Sequence, residues 1–309
     1  EQDDASAEFN LGVMYANGRG ISQDDTKAVK WYYRAAEQNH ASAQLNLGVM
    51  YANGRGVSQD DAEAVEWYRR AVEQNHAQAQ FNLGVMYANG RGVPQDNAEA
   101  VKWYRCAAEQ NHASAQFSLG AMYDYGRGIP QDDEEAVKWY HHAAEQNGTN
   151  AQRNLGVMYA NGRGVSQDEA EAVKWYRRSA EQNNAGAQFN LGVMYDNGRG
   201  VSQNYAEAVE WYRRAARQNH ADAQVNLGVM YEKGQGVSQD NAESVKWFRR
   251  AAEQGYTEAQ FNLGVMYEKG QGVSQDNAES VKWFRRAAEQ GYTKAQFKLA
   301  LMPKQIELF

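Results

Sequence analysis

Residues 41–76 of the 309-residue chain read ASAQLNLGVMYANGRGVSQDDAEAVEWYRRAVEQNH, and close copies of this stretch fill the sequence. The eight tryptophans recur every 36 residues, from Trp31 to Trp283, and the columns that contain Gly48 and Met50 keep the same interval. A fixed interval of this length is typical of repeat architectures. It excludes the layouts of dinucleotide-binding, hydrolase and kinase domains, which have no such period.

The interval divides the chain into eight units and a final half-unit, without any insertion. We expect the units at about residues 5–40, 41–76, 77–112, 113–148, 149–184, 185–220, 221–256 and 257–292, with a capping half-unit at 293–309. We interpret residues 1–309 as a single repeat domain, because each unit needs its neighbours to bury its apolar surface. Pro303 is expected to end the last helix, so that Ile306, Leu308 and Phe309 fold back over the eighth unit. The alternative is that this apolar tail binds a partner.

The first half of a unit has the pattern of an amphipathic helix, predicted in the second unit over residues 41–53. Leu47 and Tyr51 lie four residues apart and so share one apolar stripe. Gly54 is expected to end this helix in the left-handed conformation of a C-cap. Gly48 costs up to about 1 kcal/mol in mid-helix, so we infer that another stretch of backbone approaches it closely.

The second half of a unit predicts another helix, antiparallel to the first. Asp60 is expected to cap its N-terminus, and Glu63, three residues on, to complete a capping box. Trp67 and Tyr68 lie on two different apolar stripes, which requires two packing neighbours: the first helix of the same unit and the next unit. The predicted fold is therefore all-α, an α-solenoid formed as a right-handed superhelix of antiparallel helix pairs in 36-residue repeats.

A known family has the same residues at these positions. The chain resembles the Sel-one-like repeat, a longer relative of the tetratricopeptide repeat, at Ala43, Leu47, Gly48, Tyr51, Gly54, Gly56, Val57, Asp60, Ala64, Trp67, Tyr68, Ala71 and Glu73 and at their copies over residues 5–302. That family consists mostly of adaptors and scaffolds. The resemblance implies a non-catalytic protein–protein interaction scaffold, monomeric on its own, whose partner is another protein or a peptide segment. The near-identical copies resemble bacterial members, which are often exported, and so imply a periplasmic or secreted protein.

The resemblance also implies that the first helices of the units line the concave surface of the superhelix. Tetratricopeptide relatives carry an asparagine there that holds the main chain of a bound peptide, and an amide side chain has both the donor and the acceptor for that role. The matching Asn-Leu-Gly positions are Asn10, Asn46, Asn82, Asn154, Asn190, Asn226 and Asn262. The residues expected to flank them as a mildly apolar floor are Val49, Val85, Asn53 and Asn89. The alternative is that each asparagine only bonds a neighbouring helix.

The fourth unit and its junction with the fifth differ most from the other units. Asp124-Tyr125 replaces the usual Ala-Asn, Arg153 stands where phenylalanine is usual, and Gly148 alters the turn between the two units. One interpretation is drift at tolerant positions. The other is a partner-binding site in the middle of the solenoid, to which Asp124, Tyr125 and Arg153 would belong.

Composition and motifs argue against several other classes of function. With 32 basic and 39 acidic residues the formal net charge is −7, which disfavours a nucleic-acid or anionic-membrane partner. No run approaches the roughly 20 apolar residues of a membrane-spanning helix. The single Cys106 excludes an internal disulfide framework. The Gly-Arg-Gly turns follow a helix instead of a strand, so they lack the context of a phosphate-binding loop.

Metal, cofactor and catalytic chemistry are not expected either. Equivalent histidines such as His40 and His76 lie in neighbouring units about 10 Å apart, whereas a zinc ligand lies about 2 Å from its metal. A carbohydrate or cell-wall-binding module, or a modulator of a wall enzyme, stays an alternative that requires exposed Tyr and Trp rings. An enzyme in the divergent middle would use His141 or His142. Because residue 1 is Glu and no signal-peptide pattern is present, we expect the sequence to start inside a longer precursor.

Overall fold

Helices account for the architecture of this chain. The structure, a computed structural model, describes residues 4–301, and over these residues there are 17 α-helices and no β-strand. The first eight are α1 (Ala5–Asn17), α2 (Asp25–Glu37), α3 (Ala41–Asn53), α4 (Asp61–Glu73), α5 (Ala77–Asn89), α6 (Asn97–Glu109), α7 (Ala113–Tyr125) and α8 (Asp133–Glu145). The others are α9 (Thr149–Asn161), α10 (Glu169–Glu181), α11 (Ala185–Asn197), α12 (Tyr205–Arg217), α13 (Ala221–Lys233), α14 (Asn241–Glu253), α15 (Thr257–Lys269), α16 (Asn277–Glu289) and α17 (Thr293–Leu301). Helices pack in pairs at the 36-residue interval, so the predicted all-α solenoid is confirmed.

Local capping sets the helix ends, as the second repeat illustrates. Gly54 ends α3 with φ of +64°, in the left-handed region that favours glycine. Asp60 caps α4 by accepting hydrogen bonds from two backbone N–H groups of its first turn. Both boundaries agree with the prediction, but the expected capping box is wrong. Glu63 Oε1 instead accepts the indole N–H of Trp67 at 2.9 Å, and the Asp60 N–H donates to the Tyr51 carbonyl at 3.0 Å.

The mid-helix glycine of each repeat makes room for an aromatic ring. A Cβ atom at Gly48 would lie 2.6 Å from the ring of Tyr68 and 3.1 Å from the carbonyl oxygen of Ala64, both on α4. The close approach inferred from the sequence is therefore made chiefly by a side chain and only partly by backbone. Tyr68 and Leu47 are buried at this contact, and burial of a large apolar side chain stabilises a fold by about 1.5–3 kcal/mol.

The second glycine of the Gly-x-Gly turn packs against the preceding repeat. Gly56 has φ of +68°, and a Cβ atom there would lie 2.3 Å from the backbone carbonyl group of Asp25. Both the conformation and the lack of space require glycine. Between the two glycines, Arg55 reaches the Asp25 carboxylate with two nitrogens, at 2.8 and 3.2 Å. The turn of one repeat is thus attached to the start of the second helix of the repeat before it.

Buried glutamines also join successive repeats. Gln44 donates to the carbonyl oxygen of Ala36 at 3.1 Å, and its side-chain oxygen accepts from Gln74 Nε2 at 2.7 Å. The contact between the two glutamines recurs in the following repeats, and we call the row of these pairs the glutamine ladder. Its pairs are Gln74–Gln44, Gln110–Gln80 and Gln146–Gln116, then Gln182–Gln152, Gln218–Gln188, Gln254–Gln224 and Gln290–Gln260. The ladder satisfies amide groups that would be costly to bury unpaired.

The chain is divided into two compact units. One comprises Glu1–Ala151 and Arg163–Ser166, and the other comprises Gln152–Gly162 and Gln167–Phe309. In the first unit, Trp67 is buried in a core cluster with Tyr32 of the preceding repeat. In the second unit, Trp211 is buried with Tyr176 in an equivalent cluster. A single repeat domain over residues 1–309 stays a prediction.

The C-terminal half-unit is described only in part. Helix α17 runs to Leu301, where the described residues end. The expected cap, with Pro303, Ile306, Leu308 and Phe309, lies outside them. Over residues 4–301, no helix is long and apolar enough to cross a membrane.

Candidate binding groove

The odd-numbered helices of the first unit border an open groove. A cavity of about 470 Å³ between α3 and α5 is lined by Asn46, Val49, Asn53, Asn82 and Val85, with Tyr68 and Arg91 among the other residues. The next cavity, of about 420 Å³ between α5 and α7, is lined by Val85, Asn89, Ser118, Ala121 and Arg127, among others. We call the surface formed by these residues the odd-helix groove. The residues predicted in the second and third repeats therefore lie along one surface.

The groove asparagines are half-buried and contribute to packing between repeats. The side-chain oxygen of Asn82 accepts from Gln78 Nε2 at 2.9 Å, and Asn82 lines the same cavity as Tyr68 of the preceding repeat. Burial raises the pKa of Tyr68 to about 12, and the hydrogen bond from Asn82 opposes this rise. The equivalent bonds join Asn46 to Tyr32, Asn190 to Tyr176 and Asn226 to Tyr212. An amide has two N–H groups and two acceptor lone pairs, so one such bond leaves capacity for a ligand.

The remaining asparagines of the column have different surroundings. Asn10 on α1 is exposed, and Asn154 on α9 is half-buried in the second unit. Asn262 on α15 is half-buried, and the preceding repeat has Phe248 where other repeats have tyrosine. The asparagine is thus present even where no tyrosine hydroxyl stands in the matching position. A structural bond to tyrosine alone does not account for the whole column.

Two further asparagines stand at the ends of the groove helices. Asn53 Nδ2 donates to the Val49 carbonyl, and Asn89 Nδ2 donates to the Val85 carbonyl, both at 2.8 Å. Both side chains are exposed. They satisfy carbonyl groups in the last turn of α3 and α5, and they form the rim of the groove.

Asp124 and Tyr125, adjacent in sequence, have opposite environments. Asp124 is only 7% exposed, and its carboxylate accepts from Arg163 at 2.7 Å and from the Tyr140 hydroxyl at 3.0 Å. Both oxygens of its carboxylate are therefore already hydrogen-bonded within the first unit. Tyr125 is 62% exposed, and the guanidinium group of Arg127 lies 5.3 Å from its ring centre. Of this pair, only Tyr125 is accessible to a partner.

Arg153 lies on α9 in the second unit, in the column that other repeats fill with phenylalanine. It is half-buried, and its Nε atom lies 2.7 Å from the position of a Cβ atom on Gly186, so that glycine makes room for the arginine. Burial raises the pKa of Tyr176 to about 12, and the charge of Arg153 opposes this rise. Burial also lowers the pKa of His220. The negative charge of Asp222 opposes this lowering, and the positive charge of Arg153 adds to it. Arg153 thus acts on the packing of its own unit.

Substitutions in the third and fourth repeats create two groove features that the sequence analysis missed. The turn residue Arg127 faces Asn97 of the third repeat, where equivalent arginines face a carboxylate. Gly148 of the fourth repeat stands where four other repeats have histidine, and a cavity of about 300 Å³ opens beside Phe117. Both features can be found in the sequence if each pair of contacting residues, instead of each single residue, is compared with the equivalent pair 36 positions away.

The aromatic column is largely covered. The tryptophans are buried or half-buried, and arginines lie over several of them, as Arg70 lies 4.4 Å from the ring centre of Trp67. Binding of sugar rings by stacking would need exposed rings in the groove. Within residues 4–301 the exposed rings among Phe, Tyr and Trp are Tyr33, Tyr125 and Phe297, and none of them lines the two groove cavities.

The histidines of the divergent middle belong to α8 and not to the odd-numbered helices. His141 Nδ1 lies 3.4 Å from the Glu145 carboxylate, and the His142 ring packs on Trp139 with centres 5.7 Å apart. Over residues 4–301, no group of three or more His, Cys, Asp or Glu side chains is placed to hold a metal ion.

Known proteins share this repeat architecture. A model of the Sel1 repeat matches residues 5–40, 41–76, 77–112, 113–148, 149–184, 185–220, 221–256 and 257–292. The crystal structure of c5321, a protective antigen present in uropathogenic Escherichia coli strains that displays an SLR fold, is 38% identical with a TM-score of 0.92, over 99% of this chain and 67% of that one. A Sel1 repeat protein from Oxalobacter formigenes is 36% identical with a TM-score of 0.76, over 97% and 86% of the two chains. A comparison with curated proteins gives no match.

Proposed function

This chain belongs to the Sel1 repeat family, and from this premise we propose that it is a non-catalytic scaffold that holds an extended segment of a partner protein in the odd-helix groove. Sel1 repeat proteins are generally protein-interaction scaffolds. The observation that carries the groove proposal is the alignment of asparagine and valine side chains along the open cavities between α3, α5 and α7.

The groove asparagines suit the main chain of an extended segment. Such a segment presents backbone N–H and C=O groups that need partners when water is displaced. The hydrogen bond from Gln78 to the side-chain oxygen of Asn82 fixes the orientation of the amide before any ligand arrives. A fixed side chain loses little conformational entropy on binding, so the structural bond and the binding role support each other.

The outer surface of the even-numbered helices has a different character. It carries exposed ion pairs three residues apart, such as Lys102–Glu99 and Lys138–Glu135. Pairs of this kind contribute little to stability and are typical of a solvated face. Charged residues are depleted in the core of binding interfaces, which favours the groove over this surface.

Partner recovery by the tagged chain tests the proposal. The double variant Asn82→Ala with Asn190→Ala is expected to lower recovery of the partner about tenfold or more, because main-chain hydrogen bonds are lost at two positions. Unchanged recovery would remove the groove from the proposal.

A matched control separates binding from packing. The double variant Tyr68→Phe with Tyr176→Phe removes the hydroxyls that the same asparagines bond, and leaves the asparagines in place. The chain itself accepts phenylalanine at this position, at Phe248 and Phe284. We expect this control to retain most of the recovery, and an equal loss in both double variants would mean that the asparagines act only through packing.

A further inference from the structure

We propose that the odd-helix groove at the fourth repeat recognises a partner segment with one apolar and one acidic side chain, about three residues apart in an extended conformation. This inference rests on the proposed function, because it names the chemistry of the segment that the groove would hold. Two residues create the two halves of the site: Gly148 opens an apolar pocket, and Asn97 leaves the charge of Arg127 uncompensated.

The apolar pocket arises because one stacking ring is missing. In three other repeats a histidine ring covers the phenylalanine of the odd-numbered helix, with centres 4.6 Å apart for Phe9–His40, 5.0 Å for Phe81–His112 and 4.8 Å for Phe189–His220. Phe117 keeps its contact with Tyr140, at 5.7 Å, but Gly148 supplies no ring for the other side. The cavity of about 300 Å³ lies there, with Phe81 and Phe117 in its lining.

An apolar side chain from a partner would occupy the place of the missing histidine. Most of the surface that lines this cavity is apolar, and Ala113 and Ala151 contribute to it beside the two phenylalanines. Covering the ring of Phe117 removes apolar area from water, which favours binding in proportion to the area buried. A concave apolar pocket of this kind suits a single anchoring side chain.

The charged half arises because one carboxylate is missing. Elsewhere the turn arginine binds an acid at the start of the second helix of the preceding repeat, in the pairs Arg55–Asp25, Arg91–Asp61, Arg163–Asp133 and Arg199–Glu169. Asn97 stands in the position of that acid for Arg127. Within residues 4–301, no carboxylate forms an ion pair with Arg127, which is exposed and lies over the ring of Tyr125. A chain of net charge −7 thus presents a cation in its groove, and a carboxylate is the complementary ligand.

The two halves form one continuous surface along α7. Phe117 and Ser118 line both the apolar pocket and the cavity that contains Arg127. Ser114 borders the first and Ala121 the second, and the step of seven residues from one to the other corresponds to about 10 Å of helix. An extended peptide in the polyproline II form covers that distance in about three residues, and its three residues per turn place side chains at this spacing on the same side.

The probe for this site is a library of random dodecapeptides displayed on phage and selected on the full chain. We expect enrichment of sequences that combine an aromatic or large aliphatic residue with Asp or Glu about three positions away. Synthetic copies of the enriched peptides then serve for affinity measurements on the variants below.

Asn97→Asp is the sharpest variant, because it gives Arg127 the partner that Arg91 has in Asp61. It should raise the melting temperature slightly and weaken the enriched peptides about tenfold, since the in-chain carboxylate competes for the cation. Arg127→Gln is the companion variant, and Gln235 and Gln271 show that the turn accepts glutamine. It should also weaken the peptides about tenfold, without the gain in melting temperature.

Gly148→His tests the apolar half by restoring the stacking ring. A Cβ atom at Gly148 would lie 2.7 Å from the Ala143 carbonyl oxygen, so the turn must open slightly. The equivalent His112 shows such a turn, with its N–H donating over 3.2 Å where Gly148 donates over 2.9 Å. Filling the pocket should weaken the enriched peptides about tenfold, and replacing their apolar residue by alanine should then change little.

Three outcomes would overturn the inference, and they bear differently on the proposed function. Enriched peptides that ignore Asn97→Asp, Arg127→Gln and Gly148→His, yet weaken on Asn46→Ala with Asn82→Ala, would leave the groove proposal standing and refute this site. Enriched peptides without an acidic residue would refute the charged half. A selection that enriches no sequence would refute both proposals.

Discussion

The third and fourth repeats, residues 77–112 and 113–148, have the same scaffold and different grooves. In both, the mid-helix glycine faces a tyrosine ring, with a Cβ atom placed 2.7 Å away at Gly84 and 2.8 Å away at Gly120. In both, the glutamine ladder has a bond of 2.7 Å. At the groove, however, Phe81 is stacked by His112, whereas Phe117 faces Gly148.

The contrast shows that packing and recognition depend on separate residues. Contacts between helices use glycine, alanine, tyrosine and buried glutamine, with phenylalanine for tyrosine in the last two repeats and Glu8 for glutamine in the first. Groove residues are bound to their neighbours by single side-chain contacts, so one substitution can open a pocket or expose a charge without moving a helix. A repeat protein can therefore change its specificity at one position along the groove while its fold stays the same.

The largest expected effect concerns the contact that both repeats share. A Cβ atom would lie 2.1 Å from the Asp61 carbonyl oxygen at Gly92 and 2.3 Å from the Asn97 carbonyl at Gly128, and both glycines have a positive φ. We expect Gly92→Ala and Gly128→Ala each to lower the free energy of unfolding by about 3 kcal/mol, the sum of strain and overlap. Urea unfolding followed by circular dichroism measures this loss.

Gly255→Ala is the control for this pair. Gly255 has φ of +89° and no neighbouring atom within 4 Å of an added Cβ atom, so only the conformational strain applies. We expect a loss of about 1 kcal/mol. A loss at Gly255 as large as that at Gly92 would contradict the assignment of the second turn glycine to contact between repeats.

The glutamine ladder gives the next effect in size. Gln80→Ala and Gln116→Ala should each lower the free energy of unfolding by about 2 kcal/mol, because a buried amide is removed and Gln110 and Gln146 each lose one of their acceptors in a half-buried site. Equal losses in the two repeats would support a common scaffold. Gln95→Ala, which removes an exposed bond to the Ala88 carbonyl, is the control and should change stability by less than about 0.5 kcal/mol. A control loss that matches the ladder would contradict the role of burial.

A smaller effect follows from copying the pair Asn97–Arg127 one repeat earlier, onto Asp61–Arg91. Asp61→Asn gives Arg91 the same neutral neighbour that Arg127 has. The pair is partly exposed, so we expect a loss of about 0.5–1 kcal/mol that diminishes at high salt. The variant should also gain affinity for peptides with an acidic residue, and binding that stays unchanged would separate Arg127 from its assigned role.

The smallest effect concerns pH, and it depends on the histidines that the fourth repeat lacks. Burial lowers the pKa of His76 and His112 below the ordinary value of 6.5. The unfolded chain therefore binds protons first, so the stability present above about pH 6.5 is lost as the pH falls through the folded pKa values. The melting temperature should decline between about pH 7 and pH 5, above the range where Asp61 and Asp133, whose pKa values Arg91 and Arg163 lower, take up protons.

The control for the pH effect uses the chain's own alternative. Tyr256 and Tyr292 stand at the equivalent position in the last two repeats. We expect the double variant His76→Tyr with His112→Tyr to flatten the pH dependence of the melting temperature. An unchanged slope would assign the acid sensitivity to other groups.

Local features of the fold could be predicted from the sequence because their causes lie within a few residues. Gly54 ends a helix and Asp60 begins one through their own conformation and hydrogen bonds. The role predicted for Glu63 was wrong because the indole N–H of Trp67, one turn away, binds its carboxylate. The glutamine ladder was missed because its partners are 30 residues apart, one in the first helix of a repeat and one at the end of the second.

The candidate site was predictable only in part, for a related reason. The asparagine column follows from its regular spacing, and the structure places Asn46 and Asn82 in one cavity. Asp124 reads as an accessible acid in the sequence, but Arg163, which lies 39 residues later, binds it in the interior. The exposed charge of Arg127 follows from a pair of residues in two repeats, and no single column contains that information.

Photo-crosslinking with an enriched peptide tests most directly whether the odd-helix groove is the recognition surface. A benzophenone placed beside the acidic residue of the peptide reacts with the nearest C–H bonds, and mass spectrometry then locates the crosslink. The account predicts crosslinks on α7 and the turn that follows it, between Ser114 and Arg127. Crosslinks on the outer surface of the even-numbered helices, around Lys102 or Lys138, would contradict it.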